Sequence, residues 1–439
     1  MKTKKLLMFA IPAMAMGSLV GCAPKYDVKL IIYNWADYIF EGDDENPKTI
    51  KAFEQYYKEK TGLVLKVDYR TFATNEIMYT QIKEGSIKPD LICPSDYMIQ
   101  KMANEGMLQK FSYNEADGKY GESLKNFEDY GSQFIKEKFT SVKLNDNNSL
   151  LTYAVPYFWG TMGFTYNPEY FTAEEVGTWE CLWNKESKFS NQFSLKDSMR
   201  DTYVTGIFHV YKDEIAALDE NDPEYNAKLT AIFNRCDSET IKKVGDALIE
   251  AKKSTVNKFE VDAGKEDIVK GVYSANLAWS GDAIFAMDSA EELKKPARLN
   301  YALPKEGSNV WFDGWSIPKN GNKELAEEFV NFVCDPENAA LIMDSVGYTS
   351  PIVGDAMWEL VNDWYAAEED EEDTYEVDLS FYFGEVEGGA TISIPTSERG
   401  RQFDAQYPTE EVLKKCCMMN DFGSQQKEVG EMWARVKSA

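Results

Sequence analysis

Aromatic rings stand beside carboxylates or hydroxyls in several short segments of this chain: Trp35 with Asp37 and Tyr38, Ser95 with Tyr97, Trp159, Trp279 with Asp282, and Trp311 with Asp313. Ring faces attract positive charge, and a carboxylate pairs with an ammonium. The chemistry such a set can do is to grip an organic cation. One segment of this kind is equally well a strand end whose Trp and Tyr plug a core. Their recurrence in 439 residues with a formal net charge of -27 points to a pocket for cations.

The elements that must position these side chains can be read in turn. Residues 30–33, Leu-Ile-Ile-Tyr, form an apolar run suited to a buried strand. Asn34, Trp35, Asp37 and Tyr38 follow just beyond its C-terminal end, where ligands bind in open α/β sheets. Over 46–62 the spacing of Ile50, Phe53 and Tyr57 predicts a helix ended by Thr61-Gly62. A strand over 63–69, a helix over 75–83, a short buried strand over 90–93 and a helix over 98–105 continue the alternation. That order specifies an α/β layer with largely parallel strands. A strand is expected over 162–166, and helices near 200–210, 227–236, 242–252 and 323–335. The acidic run 368–373 reads as a repelling loop, and the glycine-bearing stretch 378–394 after it reads as strand.

Composition excludes several functions. The negative charge opposes nucleic acid, whose phosphates would be repelled. His209 is the single histidine, so a His-rich metal site or a His-based triad has no material; a packed or capping role is expected for it. No Gly-x-Ser-x-Gly nucleophile motif occurs. Cys93, Cys181, Cys236, Cys334, Cys416 and Cys417 show no framework spacing and read as mostly free, buried thiols. No cofactor or metal is expected. Lys2, Lys4 and Lys5 precede an apolar stretch over 6–20 that ends in Leu19-Val20-Gly21-Cys22. This is a secretion signal, and its end resembles the lipobox of bacterial lipoproteins, in which the cysteine becomes the lipidated first residue. The expected mature protein is a soluble monomeric body tethered to a membrane through lipid on Cys22.

Several motifs carry a wider resemblance. They are Tyr-Asn-Trp-x-x-Tyr at 33–38, Asn-Glu-x-Met-Tyr at 75–79, Pro-Ser-x-Tyr at 94–97 and Lys-Met-x-x-Glu-Gly-Met at 101–107. Pro-Tyr-x-Trp-Gly at 156–160, Asp-Ser-Met-Arg-Asp at 197–201, Trp-Ser-Gly-Asp at 279–282, Trp-x-Asp at 311–313 and Gly-Tyr-Thr-Ser-Pro at 347–351 follow. In order and spacing the chain resembles the spermidine/putrescine-binding proteins of bacterial ABC transporters, from about residue 28 to 351. The resemblance implies a two-lobed α/β fold like that of periplasmic binding proteins, with a ligand cleft between the lobes. It implies a signal over 1–22, a first part of lobe 1 over 23–155, mainly lobe 2 over 156–312, a return toward lobe 1 over 313–351, and a C-terminal segment over 352–439, mainly lobe 2. Residues 363–401 stand as an insertion relative to the family.

The same resemblance gives roles to residues. Trp35, Tyr38, Trp279 and Trp311 would wall in the methylene chain of a polyamine. Ser95 and Tyr97 would supply hydroxyls. Asp201, Asp282 and Asp313 would take the ammonium groups, and Asp37 occupies an acidic position of the first motif. Ser198 stands where some spermidine binders have a second acid, Met419 where they have an amide, and Asp282 where putrescine binders tend to have an acid; putrescine is therefore a candidate beside spermidine. A permease is the implied partner, and no reaction on the ligand is expected. The alternatives are a protein of the same architecture for another small solute, disfavoured by the acid-and-ring pattern, and an exported hydrolase using paired carboxylates, for which no motif speaks.

Overall fold

The computed structural model describes residues 26–261, 263–294, 298–384, 386 and 388–439. The expected signal and Cys22 lie outside the described residues. No helix among the described residues is long and apolar enough to cross a membrane.

The first layer is a three-stranded parallel sheet with Val28–Trp35 in the middle, flanked by Leu65–Phe72 and Leu91–Ile92. Leu30 and Ile32 are fully buried in its central strand. Parallel strands need crossovers, and the helices Thr49–Thr61 and Asn75–Glu84 supply them. The first ends at Gly62 with φ 76°, the left-handed conformation that glycine adopts without penalty. The second starts on Thr74, whose side chain accepts from the Ile77 N–H. All three strands run toward the same edge. That edge receives Trp35 and the Pro94-Ser95 turn, where the helix Asp96–Asn104 begins on Ser95.

The second layer is a mixed sheet in the order Cys416–Cys417, Ser308–Trp315, Val155–Tyr166, Ala275–Trp279, Phe193–Lys196, Val256–Glu260, with Asn300–Ala302 also on Val155–Tyr166. Val155–Tyr166 is buried at every position. Its first half, through Trp159, belongs to one buried cluster of side chains, and Met162, Phe164 and Tyr166 belong to a second. Ser308–Trp315 runs antiparallel beside it and places Val310, Phe312 and Trp315 in the first cluster. These two strands therefore carry the chain from one core to the other. The pairing slips by one residue between Asp313 and Gly314. A bulge there bends the strand and re-aims its side chains.

Residues 352–439 were expected mainly with the second lobe, and they divide. Met357, Val361, Leu379, Tyr382, Ile392, Ile394 and Phe403 are buried in the first cluster, whereas Cys417, Met419, Val429 and Val436 are buried in the second. The stretch 378–394 is not strand throughout. Thr374–Asp378 and Thr391–Pro395 form an antiparallel pair, with the short helix Ser380–Phe383 between them. Ile392 and Ile394 lie on one face of the second strand, as period-two alternation requires, and that face covers the first core. The six described cysteines are free, and all but Cys236 are buried. His209 stacks on Trp183 with centroids 3.9 Å apart, and its Nδ1 lies 2.6 Å from Glu180 Oε1.

Candidate functional site

Ser308–Trp315 supplies the centre of the site. Trp311 and Asp313 share one face of the strand and Phe312 takes the other, packed among Phe139 and Trp159. Trp159 is 1% exposed and stacks at 5.6 Å on Tyr382, so it is core.

Asp313 is 6% exposed. Tyr38 Oη donates to its Oδ2 at 2.7 Å, and Ser95 bridges to it backbone to backbone. Its other oxygen, Oδ1, is buried and receives no hydrogen bond of good geometry, the Ser95 hydroxyl standing near enough only to lower the carboxyl. Burial pushes the carboxyl up to about 6, against the hydroxyls of Ser95 and Tyr38, which pull it down. A buried acceptor of this kind lacks a donor that a ligand could supply. Asp96, next to it, is buried harder still and is pushed up to about 8, although it accepts the backbone N–H groups of Phe312 and Tyr97.

From Asp313 a chain of contacts runs through most of the predicted residues. Asn75 Nδ2 donates to Ser95 Oγ at 3.0 Å and to Tyr97 Oη at 3.1 Å, which fixes both hydroxyls. The Arg200 guanidinium lies 3.7 Å from the centre of the Tyr97 ring, reaching across from the helix Met199–Val210. Tyr348 joins the two sides: its ring meets Tyr38 at 5.7 Å and Trp311 at 5.4 Å, and its hydroxyl donates to Asp282 Oδ1 at 3.0 Å. Trp279 precedes the helix Ser280–Leu293 and Asp282 sits in its first turn, where the helix dipole favours an anion. Trp279 Nε1 donates to Asp201 Oδ1 at 3.3 Å.

Trp35 and Asp37 stand apart from this chain of contacts. Trp35 ends its strand half-buried, packed on the Phe72 ring at 4.5 Å, and its indole N–H is buried without a partner. Asp37 is exposed, with φ 52°, in the turn that follows.

Several residues of the site were not singled out from the sequence. Asn75, Arg200 and Tyr348 lie inside the shared motifs, so their positions were marked without their roles. Lys196 and Lys265 carried no signal. The Lys196 ammonium lies 2.8 Å from Asp282 Oδ2 and 3.7 Å from the Trp279 ring centroid, and the Lys265 ammonium lies 3.2 Å from Asp282 Oδ1. Burial raises the Asp282 carboxyl, and the two lysines outweigh it, so the group is held below its ordinary value. A cavity of about 790 Å³ lies elsewhere, lined in part by Gln100, Lys138, Asn226 and Asp421.

The chain is similar to known proteins along most of its length. Over 350 residues it is 29% identical to a spermidine/putrescine-binding periplasmic protein of Salmonella typhimurium, covering 78% of this chain and 83% of that one. It is 25% identical over 432 residues to a putrescine-binding periplasmic protein of Pseudomonas aeruginosa, covering 96% and 95%. Its fold matches the crystal structure of a spermidine/putrescine ABC transporter substrate-binding protein from Streptococcus pneumoniae, with a TM-score of 0.61, 25% identity, and coverage of 93% of this chain and 98% of that one. The fold is thus the two-lobed α/β architecture of periplasmic binding proteins. Residues 48–367 match the family described as bacterial extracellular solute-binding protein, and the chain belongs to that family.

Proposed function

We propose that this protein binds a polyamine, putrescine or spermidine, outside the cytoplasmic membrane and delivers it to the permease of an ABC transporter. The observation that carries the proposal is Asp313: a buried carboxylate with one unpaired oxygen, set beside the rings of Tyr38 and Trp311 through Tyr348. An ammonium brings three donors and no acceptor, which suits that oxygen. The rings cover the methylenes and attract the charge, at roughly 0.5–2 kcal/mol for each good cation–π contact. A desolvated carboxylate discriminates because an uncharged competitor leaves it unpaired, at a cost of several kcal/mol. Trp35, Ser95, Tyr97 and Asp201 complete the proposed contacts, with Asp37 at the rim. The names of the relatives point to the same ligand class.

In this reading the segments that build the first buried cluster move as one lobe, and those that build the second move as the other. The ligand stabilises the closed arrangement because only closure engages both walls. The permease reads closure, and the ligand leaves chemically unchanged. The body acts as a monomer held at the cell membrane by lipid on Cys22. Calorimetric titration with putrescine, spermidine, ferric citrate and amino acids tests the ligand class. Binding of a polyamine alone supports it, and binding of another solute with none for polyamines refutes it. Mass analysis of the mature N-terminus tests the lipid.

A further inference from the structure

The Trp279–Asp282 end of the groove already holds a cation that belongs to the protein. Lys196 ends the strand Phe193–Lys196 and is 1% exposed. Its ammonium meets Asp282 Oδ2 at 2.8 Å, the Val261 carbonyl at 3.2 Å and the face of Trp279 at 3.7 Å. A carboxylate, a carbonyl and a ring face are the partners that a ligand ammonium would seek, and here they satisfy a side chain. Asp282 Oδ1 is taken as well, by Lys265 at 3.2 Å and Tyr348 at 3.0 Å. Asp313 differs, since its Oδ1 receives no hydrogen bond of good geometry.

We propose that Lys196 is a specificity-determining residue: its ammonium occupies the Trp279–Asp282 cation position and sets the length of amine that the groove accepts. The proposal rests on the polyamine reading above. A ligand enters with one ammonium at Asp313 and must end before Asp282. An ammonium reaching further would meet Lys196 with both Asp282 oxygens already taken. Like charges this close in a desolvated site repel strongly. The groove therefore favours a short diamine over a triamine.

The test is calorimetric titration of putrescine and spermidine into wild type, Lys196→Met, Lys196→Arg and the double variant Lys196→Met/Asp282→Asn. Lys196→Met keeps the apolar stem, and Asp282 retains Lys265 and Tyr348, so the site is not left with an orphan charge. The expected result is a rise of at least about tenfold in spermidine affinity relative to putrescine in Lys196→Met, the size of one well-made buried charge pair. Lys196→Arg keeps the wild-type ratio, and the double variant loses the gain. Should Lys196→Met fail to fold, Lys196→Gln removes the charge while keeping a donor to Asp282 and gives a shift in the same direction. An unchanged or lower ratio in the uncharged variants, with wild type still binding polyamine, overturns this proposal alone. Absence of polyamine binding in wild type and in the uncharged variants alike overturns both it and the function above.

Discussion

Tyr38 donates its hydroxyl to Asp313 at 2.7 Å although the two residues are 275 positions apart in the chain. The bond ties the turn after the first strand to the strand that crosses between the cores. It uses only one carboxylate oxygen, so it orients Asp313 without satisfying it. Asp313→Asn keeps the shape and the Tyr38 bond but removes the charge. Polyamine affinity is expected to fall at least about tenfold, because a charge-assisted contact becomes a neutral one. Tyr38→Phe leaves the charge and loosens its orientation, and a smaller loss is expected. Calorimetry on both variants checks the order, and equal affinity in Asp313→Asn and wild type contradicts it.

The raised carboxyl of Asp313 makes binding depend on pH. Its folded value of about 6 lies above the ordinary value of 3.8, so between these the folded protein holds a proton that the unfolded chain has released. Two consequences follow with opposite signs. Protonation of this group favours the fold, and that contribution is lost as pH rises through about 6. Protonation opposes cation binding, so affinity falls below about pH 6, by roughly tenfold per unit for a single group. Titrations from pH 5 to pH 8 read the slope (polyamine ammonium groups stay charged throughout). Asp313→Asn flattens it, and a wild-type profile already flat would assign the ligand charge to another acid.

The outline of the site was legible because its acids and rings follow apolar runs. Leu30 and Ile32 announce a buried strand, and the residues just past it fall at a sheet edge by topology alone. Trp311 and Asp313 come to one side of their strand because period two puts the first and third residues of 311–313 on the same face. Lys196 was invisible for a physical reason. A lone lysine at a strand end is ordinarily solvated, and its partner Asp282 lies 86 positions away. The exposed turn at Asp37 was equally hidden, since its motif gives residue types but not the backbone conformation. The stretch 378–394 reads as one strand because its turn and helix leave no strong signal, and alternation within Thr391–Pro395 does not say which of two cores its face will cover.

Gly160 sits where the long strand passes between the two cores. A Cβ there would lie 2.6 Å from Trp311 Cζ2 and would also strike Ser280 Oγ. Gly160→Ala must therefore push the Trp311 indole from its place, with an overpacking cost of about 1–3 kcal/mol. Weaker polyamine binding together with a lower unfolding midpoint is expected. A shift in tryptophan fluorescence would report the displaced ring. Wild-type affinity in this variant would mean that the Trp311 position is not part of the ligand contact.

Trp159 and Trp311 share neighbouring strands, and substitution separates their roles. Trp159 is 1% exposed, with Phe312 and Tyr382 stacked on it, and its removal leaves a cavity. Trp159→Ala is expected to cost about 3–5 kcal/mol of stability. Trp159→Phe costs less and leaves polyamine affinity within about twofold, because Trp159 packs with Phe312 on the face opposite Trp311 and Asp313. Trp311 is half-buried, its Nε1 donates to the Thr161 carbonyl at 3.3 Å, and its ring flanks Tyr348. Trp311→Ala is expected to weaken polyamine binding at least about tenfold, the upper range of one cation–π contact plus lost methylene cover. Denaturant unfolding and calorimetry on the same preparations give both quantities. If Trp159→Phe loses binding while Trp311→Ala retains it, the assignment of core and groove is reversed, and the cation lies on the Trp159 side of the strand.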